Sequence, residues 1–299
     1  MSPSISIRRL EPPDLPAADV VLRSAFHYTR SFLPALAIAR EIEPAGLLAA
    51  VAGGEIVGTV GAVTYEQLAY LGFMSVAPHR QREGIARLLM ERLLAWLEHR
   101  GVRTVLLDAT DKGAPLYESL GFVDDAAAYV YERLPNESLS ADQNIAPVGA
   151  ATAALSVRRA QEQDLAAIVA VDAAAFGANR HKLLAVHFRE QRAQCLVACD
   201  AAGNLVGYLF ARDPMLGPWV ANTAAAAECL LRAALTSPLA PPEERLPLVM
   251  VPRSNARACE LLSRHGFAEQ RRLRHMRLGG TSAPGLAERL FGQSSFAHG

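Results

Sequence analysis

The feature that most limits what this chain can fold into is an internal repeat. Ile7-Arg8-Arg9-Leu10, followed by Asp14-Leu15, returns 150 residues later as Val157-Arg158-Arg159-Ala160 and Asp164-Leu165. Val57-Gly58 returns as Val206-Gly207 and Gly121-Phe122 as Gly266-Phe267, at offsets of 149 and 145. Three markers in one order at nearly constant spacing imply two copies of a single unit. The length agrees, since 299 residues at roughly 150 per domain give two. We place the copies at 1–134 and 156–299. Residues 135–155, small, polar and without a period, read as a linker with some helix across 150–155.

Composition narrows the class. An apolar content of 51% supplies two packed cores, which excludes a disordered chain. Thirty acidic side chains balance thirty basic ones, so no net field draws nucleic acid or an anionic membrane. No run approaches the ~20 apolar residues of a membrane helix, and the start, Met1-Ser2-Pro3-Ser4, lacks the marks of a secretion signal. The expectation is a cytoplasmic protein with no membrane or nucleic-acid partner; its oligomeric state stays open. All four cysteines (Cys195, Cys199, Cys229, Cys259) lie in the second copy without a C-x-x-C pair. They read as reduced and buried, and no metal site is expected.

In the first copy, strands are expected over 5–10, 47–52, 56–64, 69–76, 102–107 and 128–133. Helices are expected over 14–26, 33–42, 84–99 and 115–120. The helix 84–99 is the clearest, with Ile85, Leu88, Leu89, Leu93, Trp96 and Leu97 as its apolar stripe. Strands and helices in this order give an α/β chain of the α+β type: two units, each a mixed, mostly antiparallel sheet flanked by helices.

The most informative segment joins a strand ending at Val76 to that helix: Ala77-Pro78-His79-Arg80-Gln81-Arg82-Glu83-Gly84-Ile85-Ala86. Amides of the first helical turn have no helical partner, and the helix dipole adds positive charge there. An anion satisfies both, and small residues at 84 and 86 allow its close approach. By itself the segment is also an ordinary strand-to-helix turn.

Gln81-Arg82-Glu83-Gly84-Ile85-Ala86 resembles the Q/R-x-x-G-x-G/A signature of the GNAT superfamily of N-acetyltransferases, at the place where that family carries it. Downstream, Ala114-Pro115-Leu116-Tyr117-Glu118-Ser119-Leu120-Gly121-Phe122 is similar to the family's A-x-x-L-Y-x-x-x-G-F segment. The resemblance covers nearly the whole chain as a tandem pair with a degenerate second domain. It implies acetyl-CoA as co-substrate, with the diphosphate held by Gln81, Arg82, Glu83, Gly84, Ile85 and Ala86. The pantetheine arm would then lie along Met74 and Val76 as an added strand. It also implies a bulge in that strand, which the sequence does not reveal.

Tyr117 aligns with the family's general acid: a phenol of pKa about 10 stays protonated at neutral pH and can supply a departing thiolate. A packing tyrosine is the plain alternative. With no cysteine in the first copy, direct attack by a primary amine, a small molecule, is favoured over an acyl-cysteine. Thr110 stands where the family often has an Asn toward the pantetheine arm. No base is evident, since 69–76 carries no carboxylate and Glu66, Asp108 and Asp111 read as solvated turn residues. Tyr28, Tyr65 and Tyr70, with His27 and Phe32, fall where the family forms its acceptor site, though packing explains each equally well.

In the second copy the segment 216–225 is expected to be the corresponding loop, without the glycine and with Glu228 near the anion position. Leu262 replaces the tyrosine. The segment Arg271, Arg272, Arg274, His275 and Arg277 reads as a solvated edge strand, and Phe291 and Phe296 as anchors docking the tail on the body. The reading is an N-acetyltransferase active in the first domain; the rival is an acyl-CoA-binding or sensory module without turnover.

Overall fold

The computed structural model describes residues 4–135, 155–212, 214–236, 247–252, 255–280 and 285–299, so nearly all of the expected linker lies outside the described residues. The first copy runs β1 (Ile5–Arg9), α1 (Leu15–Phe26), α2 (Leu33–Ile42), β2 (Leu47–Ala52), β3 (Glu55–Tyr65), β4 (Leu68–Val76), α3 (Ile85–His99), β5 (Thr104–Ala109), α4 (Ala114–Glu118) and β6 (Val123–Arg133). The second runs β7 (Ser156–Arg159), α5 (Leu165–Phe176), α6 (His181–Gln191), β8 (Cys195–Cys199), β9 (Leu205–Ala211), β10 (Leu216–Ala221), α7 (Ala224–Thr236), β11 (Leu248–Val251), α8 (Ala256–Arg264) and β12 (Phe267–Leu278), then β13 (Leu290–Gly292). This is the expected mixed, antiparallel-dominated architecture, built twice.

The repeat is repeated chemistry as well as repeated letters. Asp14 closes the turn before α1 by accepting from the Glu11 N–H (2.8 Å) and both guanidinium arms of Arg8. Asp164 does the same before α5 with the Gln161 N–H (2.6 Å) and Arg158. Each pair ties the first strand of its copy to the helix that follows.

The two copies interleave. The larger sheet has the order β1-β2-β3-β4-β5-β12-β6-β11, so β12 of the second copy lies between β5 and β6 of the first. Strands β6 and β12 pair antiparallel from Phe267↔Arg133 to Arg277↔Val123, and β6 pairs with β11 on its other edge. This corrects the edge-strand reading of 271–277: β12 is paired on both sides. Its arginines are taken up locally, Arg274 by Glu118 and Asp124 (2.7 and 2.6 Å) and Arg277 by Asp125 (3.2 Å). Pairing with β12 also begins β6 at Val123, five residues before the expected start.

Three apolar clusters fill the molecule. One lies between α3 and the first sheet, and one packs α7 and α8 on the second-copy strands. The third joins the copies, running from Leu22, Leu36 and Tyr65 to Ile168, Leu184 and Phe210. In α3 the buried stripe is Ile85, Leu89, Met90, Leu93 and Leu97. Leu88, expected within it, is 44% exposed, because the face in contact with the sheet passes through Met90 instead. Among the described residues no helix is long and apolar enough to cross a membrane.

Candidate active site

Strands β4 and β5 run parallel and pair only at Leu68↔Thr104, Ala69↔Val105 and Tyr70↔Leu106. Beyond that point they part. In the β3–β4 register Thr59 faces Ser75 and Gly61 faces Gly72, so Phe73 and Met74 share one opposite residue, which is a β-bulge. Phe73 sits at φ 55, costly for an aromatic residue. The Thr59 hydroxyl holds the bulge by donating to the Phe73 carbonyl (2.7 Å), with the Ser75 hydroxyl 2.8 Å away. The bulge reverses the alternation: Ala69 and Leu71 face α3 before it and Val76 after it. Gly72, Met74 and Asp108 are half-buried where their strand neighbours are buried, which marks the gap.

At the end of that gap β4 turns into α3. Gln81 folds back to donate to the Val76 carbonyl (3.1 Å), so that acceptor is already engaged. Arg80 chelates the Glu83 carboxylate at 2.8–3.0 Å, and this partner holds the carboxyl below its usual pKa range. Arg82 (φ 70) and Gly84 (φ 80) are left-handed, which aims the following amides outward. No side chain caps α3. A Cβ built on Gly84 would meet nothing within 4 Å, so the space over the helix end is open. Lys112 lies 3.5 Å from the Gln81 side-chain oxygen and adds a cation at the rim. The Ile85 side chain is buried in the core, leaving its backbone to face the opening. Ala86 is half-buried on the first turn. The donor set, free amides with nearby cations, suits a diphosphate.

Tyr117 is buried in α4, edge-on to Phe122 at 5.7 Å, and no described residue hydrogen-bonds its phenol. Burial pushes that phenol above its ordinary pKa, so it is protonated at neutral pH. Thr110 uses its hydroxyl to accept from the Gly113 N–H (3.2 Å) in the turn that leads into α4.

The tyrosines expected at the acceptor site do not form one surface. Tyr28 is 41% exposed and meets Phe32 in a tilted ring contact at 5.9 Å. Tyr65 is buried edge-on to Phe176 and donates to the His298 carbonyl (2.8 Å). Tyr70 is buried and donates to Asp108, while Gln293 donates to the Tyr70 oxygen (2.7 Å). Asp108 is therefore no solvated turn residue. Gly101 (φ 73) ends α3, and Arg103 reaches back to the Gln67 carbonyl, so β5 starts at Thr104 and takes in Asp108. Its side chain is fully buried, and His275 of β12 lies 2.8 Å from its second oxygen. Sequence reasoning missed His275 and Gln293, because only sheet order brings them here.

The second copy differs at each point. Residues 216–221, expected as loop, are strand β10, and only Asn222 and Thr223 separate it from α7. The Thr223 hydroxyl accepts from the Ala226 N–H (3.1 Å) and occupies the helix end. Glu228 lies a turn farther on, 3.1 Å from His265, away from that end. Strand β13 pairs antiparallel with β10, and the next residue, Gln293, donates its N–H to Met250 of β11 (2.8 Å). Asn255 donates to the Leu290 carbonyl (2.9 Å). The chain's own segment 290–293 thus fills the space between β10 and β11, with Phe291 against Trp219.

Comparison with known proteins identifies the family of both copies. Residues 7–122 match the acetyltransferase (GNAT) family and residues 168–292 the acetyltransferase (GNAT) domain. The chain is 27% identical over 157 residues to the uncharacterized N-acetyltransferase YitH of Bacillus subtilis, 52% of this chain and 50% of that protein. The match spans half the length of that relative. A putative acetyltransferase from Pyrococcus horikoshii shares the fold over 99% of this chain and 96% of its own, with TM-score 0.80 and 23% identity. A GCN5-related N-acetyltransferase from Sphaerobacter thermophilus does so over 95% and 98%, with TM-score 0.66 and 15% identity.

Proposed function

Because this chain belongs to the GNAT family of acetyltransferases, we propose that its first domain binds acetyl-CoA and transfers the acetyl group to a primary amine, and that its second does neither. The observation that carries the reading is the contrast between two equivalent helix ends. Gly84 leaves α3 open over a left-handed loop, whereas Thr223 occupies α7 and segment 290–293 fills the neighbouring gap. The family's co-substrate supplies an acetyl group activated as a thioester.

The chain's own groups would act as follows. The amides of Gly84, Ile85 and Ala86 hold the diphosphate, with Gln81, Arg82 and Glu83 shaping the loop. Met74, freed by the bulge, offers its backbone to the arm in the gap. Tyr117 donates its proton to the leaving sulfur; a buried phenol with no other acceptor among the described residues is suited to that. Direct attack is favoured because the first 194 residues contain no cysteine, and Cys195 is buried with its thiol pushed above the ordinary range. One observation favours the rival reading of a binding module: Thr110 spends its hydroxyl within the protein, which weakens one contact to the arm.

Two measurements decide. Titration calorimetry with coenzyme A should give one site per chain, lost in Gly84→Glu, which adds bulk, charge and left-handed strain. A thiol-release assay with acetyl-CoA against a broad amine panel should show steady turnover. Two equal sites would sink the assignment to the first domain; binding without thiol release leaves the module reading.

A further inference from the structure

The gap between β4 and β5 has a tyrosine on each face of the sheet. Tyr117 belongs to the cluster beneath α3, and Tyr70 to the cluster on the opposite face. On that opposite face stands a buried array drawn from three strands: Tyr70 on β4, Asp108 on β5 and His275 on β12. Asp108 and His275 are register partners, and both side chains are at most 1% exposed. No guanidinium or ammonium pairs with this carboxylate among the described residues; its two oxygens are taken by the Tyr70 hydroxyl and the His275 ring. With Nδ1–H directed at Asp108, the ring keeps a lone pair on Nε2. That nitrogen is fully buried and has no hydrogen-bond partner among the described residues. A buried acceptor left without a donor is costly, and such groups in native proteins call for an explanation.

The surroundings support a role in the reaction. Asp108 is where the backbone opens to the gap, although its side chain is hidden. Opposite His275 in β6 stands Ala126, followed by Ala127 and Ala128, so no large side chain of that strand crowds the ring. The charged neighbours are directed elsewhere: Arg274 and Arg277 bind Glu118, Asp124 and Asp125, and Arg271 stacks on Phe296 at 5.1 Å.

We infer that His275, a residue of the second copy, is the proton acceptor for the amine in the first copy's site, with Asp108 as its positioning residue. The inference rests on the acetyl-transfer reading above. As the amine nitrogen bonds to the acetyl carbon, it sheds one proton through a bridging water to the buried Nε2 of His275. Asp108 holds the ring in the Nδ1–H tautomer and stabilises the resulting imidazolium. The carbon–sulfur bond breaks, and the sulfur takes the proton of Tyr117. Proton return from imidazolium to phenolate through solvent resets both groups, so the products are the amide and the free thiol. Acid and base thereby stand on opposite faces of the gap, and the amine and the thiol do not compete for one side.

The test compares wild type with His275→Gln, Asp108→Asn and Tyr70→Phe. His275→Gln and Asp108→Asn should lower kcat by roughly 10²–10⁴ while acetyl-CoA affinity by calorimetry stays within about threefold. Tyr70→Phe should lower kcat by less than tenfold. Nitrogen NMR of the ¹⁵N-histidine chain supplies a readout independent of turnover and of whether the variants fold. Wild type should show His275 protonated at Nδ1 and not at Nε2 at neutral pH. A His275→Gln enzyme within threefold of wild-type kcat, or a ring carrying its proton on Nε2, overturns the assignment and leaves acetyl transfer standing. A wild-type chain that binds coenzyme A but releases no thiol with any amine overturns both.

Discussion

At the scale of single residues, the site is governed by what each polar group lacks. Tyr117 has a buried phenol and no hydrogen-bond acceptor among the described residues, which is what the proposed proton donor requires. Tyr117→Phe should retain acetyl-CoA binding and lose roughly 10²–10⁴ in turnover, read as a fall in kcat with little change in KM. Equal rates for variant and wild type across the pH range would remove the phenol from the mechanism. Gly84 works through absence too. It supplies a positive φ and no Cβ, at the one place where a diphosphate would need both. Phe73 is the opposite case, a large residue held at positive φ because Thr59 secures its carbonyl and the apolar face buries its ring.

At the scale of elements, each copy rests on the same joint between its first strand and first helix. Asp164 lies below the usual carboxylate range, first because Arg158 hydrogen-bonds it, and Asp14 is lowered by Arg8 in the same way. A depressed folded-state pKa adds stability above the unfolded value of about 3.9, and that stability is lost as pH falls through the folded pKa. Asp164→Asn should therefore cost about 2 kcal/mol at neutral pH, the size of a hydrogen bond to a charged group. The gap between variant and wild type should close as the solution is acidified below about pH 4. Urea denaturation at several pH values measures it; a difference that widens on acidification would contradict the sign. The bulge is the second decisive element. It separates β4 from β5 and turns a closed parallel pair into an open slot.

At the scale of the whole molecule, the copies complete each other. Strand β12 covers the β5 edge of the first copy, and β6 covers β11 of the second. Arg189 binds Glu41 and Lys182 binds Glu43 across the junction, and Arg180, fully buried against Asp172, donates to the Gly299 carbonyl (2.7 Å). Residues 1–135 produced alone should aggregate or remain unfolded, because the β5 edge and both edges of β6 lose their partners. Produced together with residues 155–299, they should copurify and regain helical circular dichroism. A monomeric 1–135 fragment with a cooperative melt would show that the exchange of strands is dispensable.

Much of this was legible in the sequence, for a physical reason. Strand and helix periods, the glycine-bearing turn after Val76 and the tyrosine segment at 114–122 are local, since each depends on neighbours a few residues away. The repeat carried the architecture, because identical local joints such as Arg8–Asp14 and Arg158–Asp164 must fold alike. Asp108 was misread because its partners lie 38 and 167 residues away in the chain. The basic stretch of β12 looked like a solvated edge for the same reason, since nothing local tells a strand paired on one side from one paired on both.

By itself the sequence determined the duplicated unit, the open helix end at Gly84 and the place of Tyr117, which backbone sterics and short-range hydrogen bonding dictate. Only the tertiary structure decided that β4 bulges at Phe73, that residues 290–293 fill the second gap, and that His275 crosses from one copy to face Asp108 in the other. Those outcomes depend on which sheet edges meet, a competition among long-range pairings that no window of neighbouring residues contains.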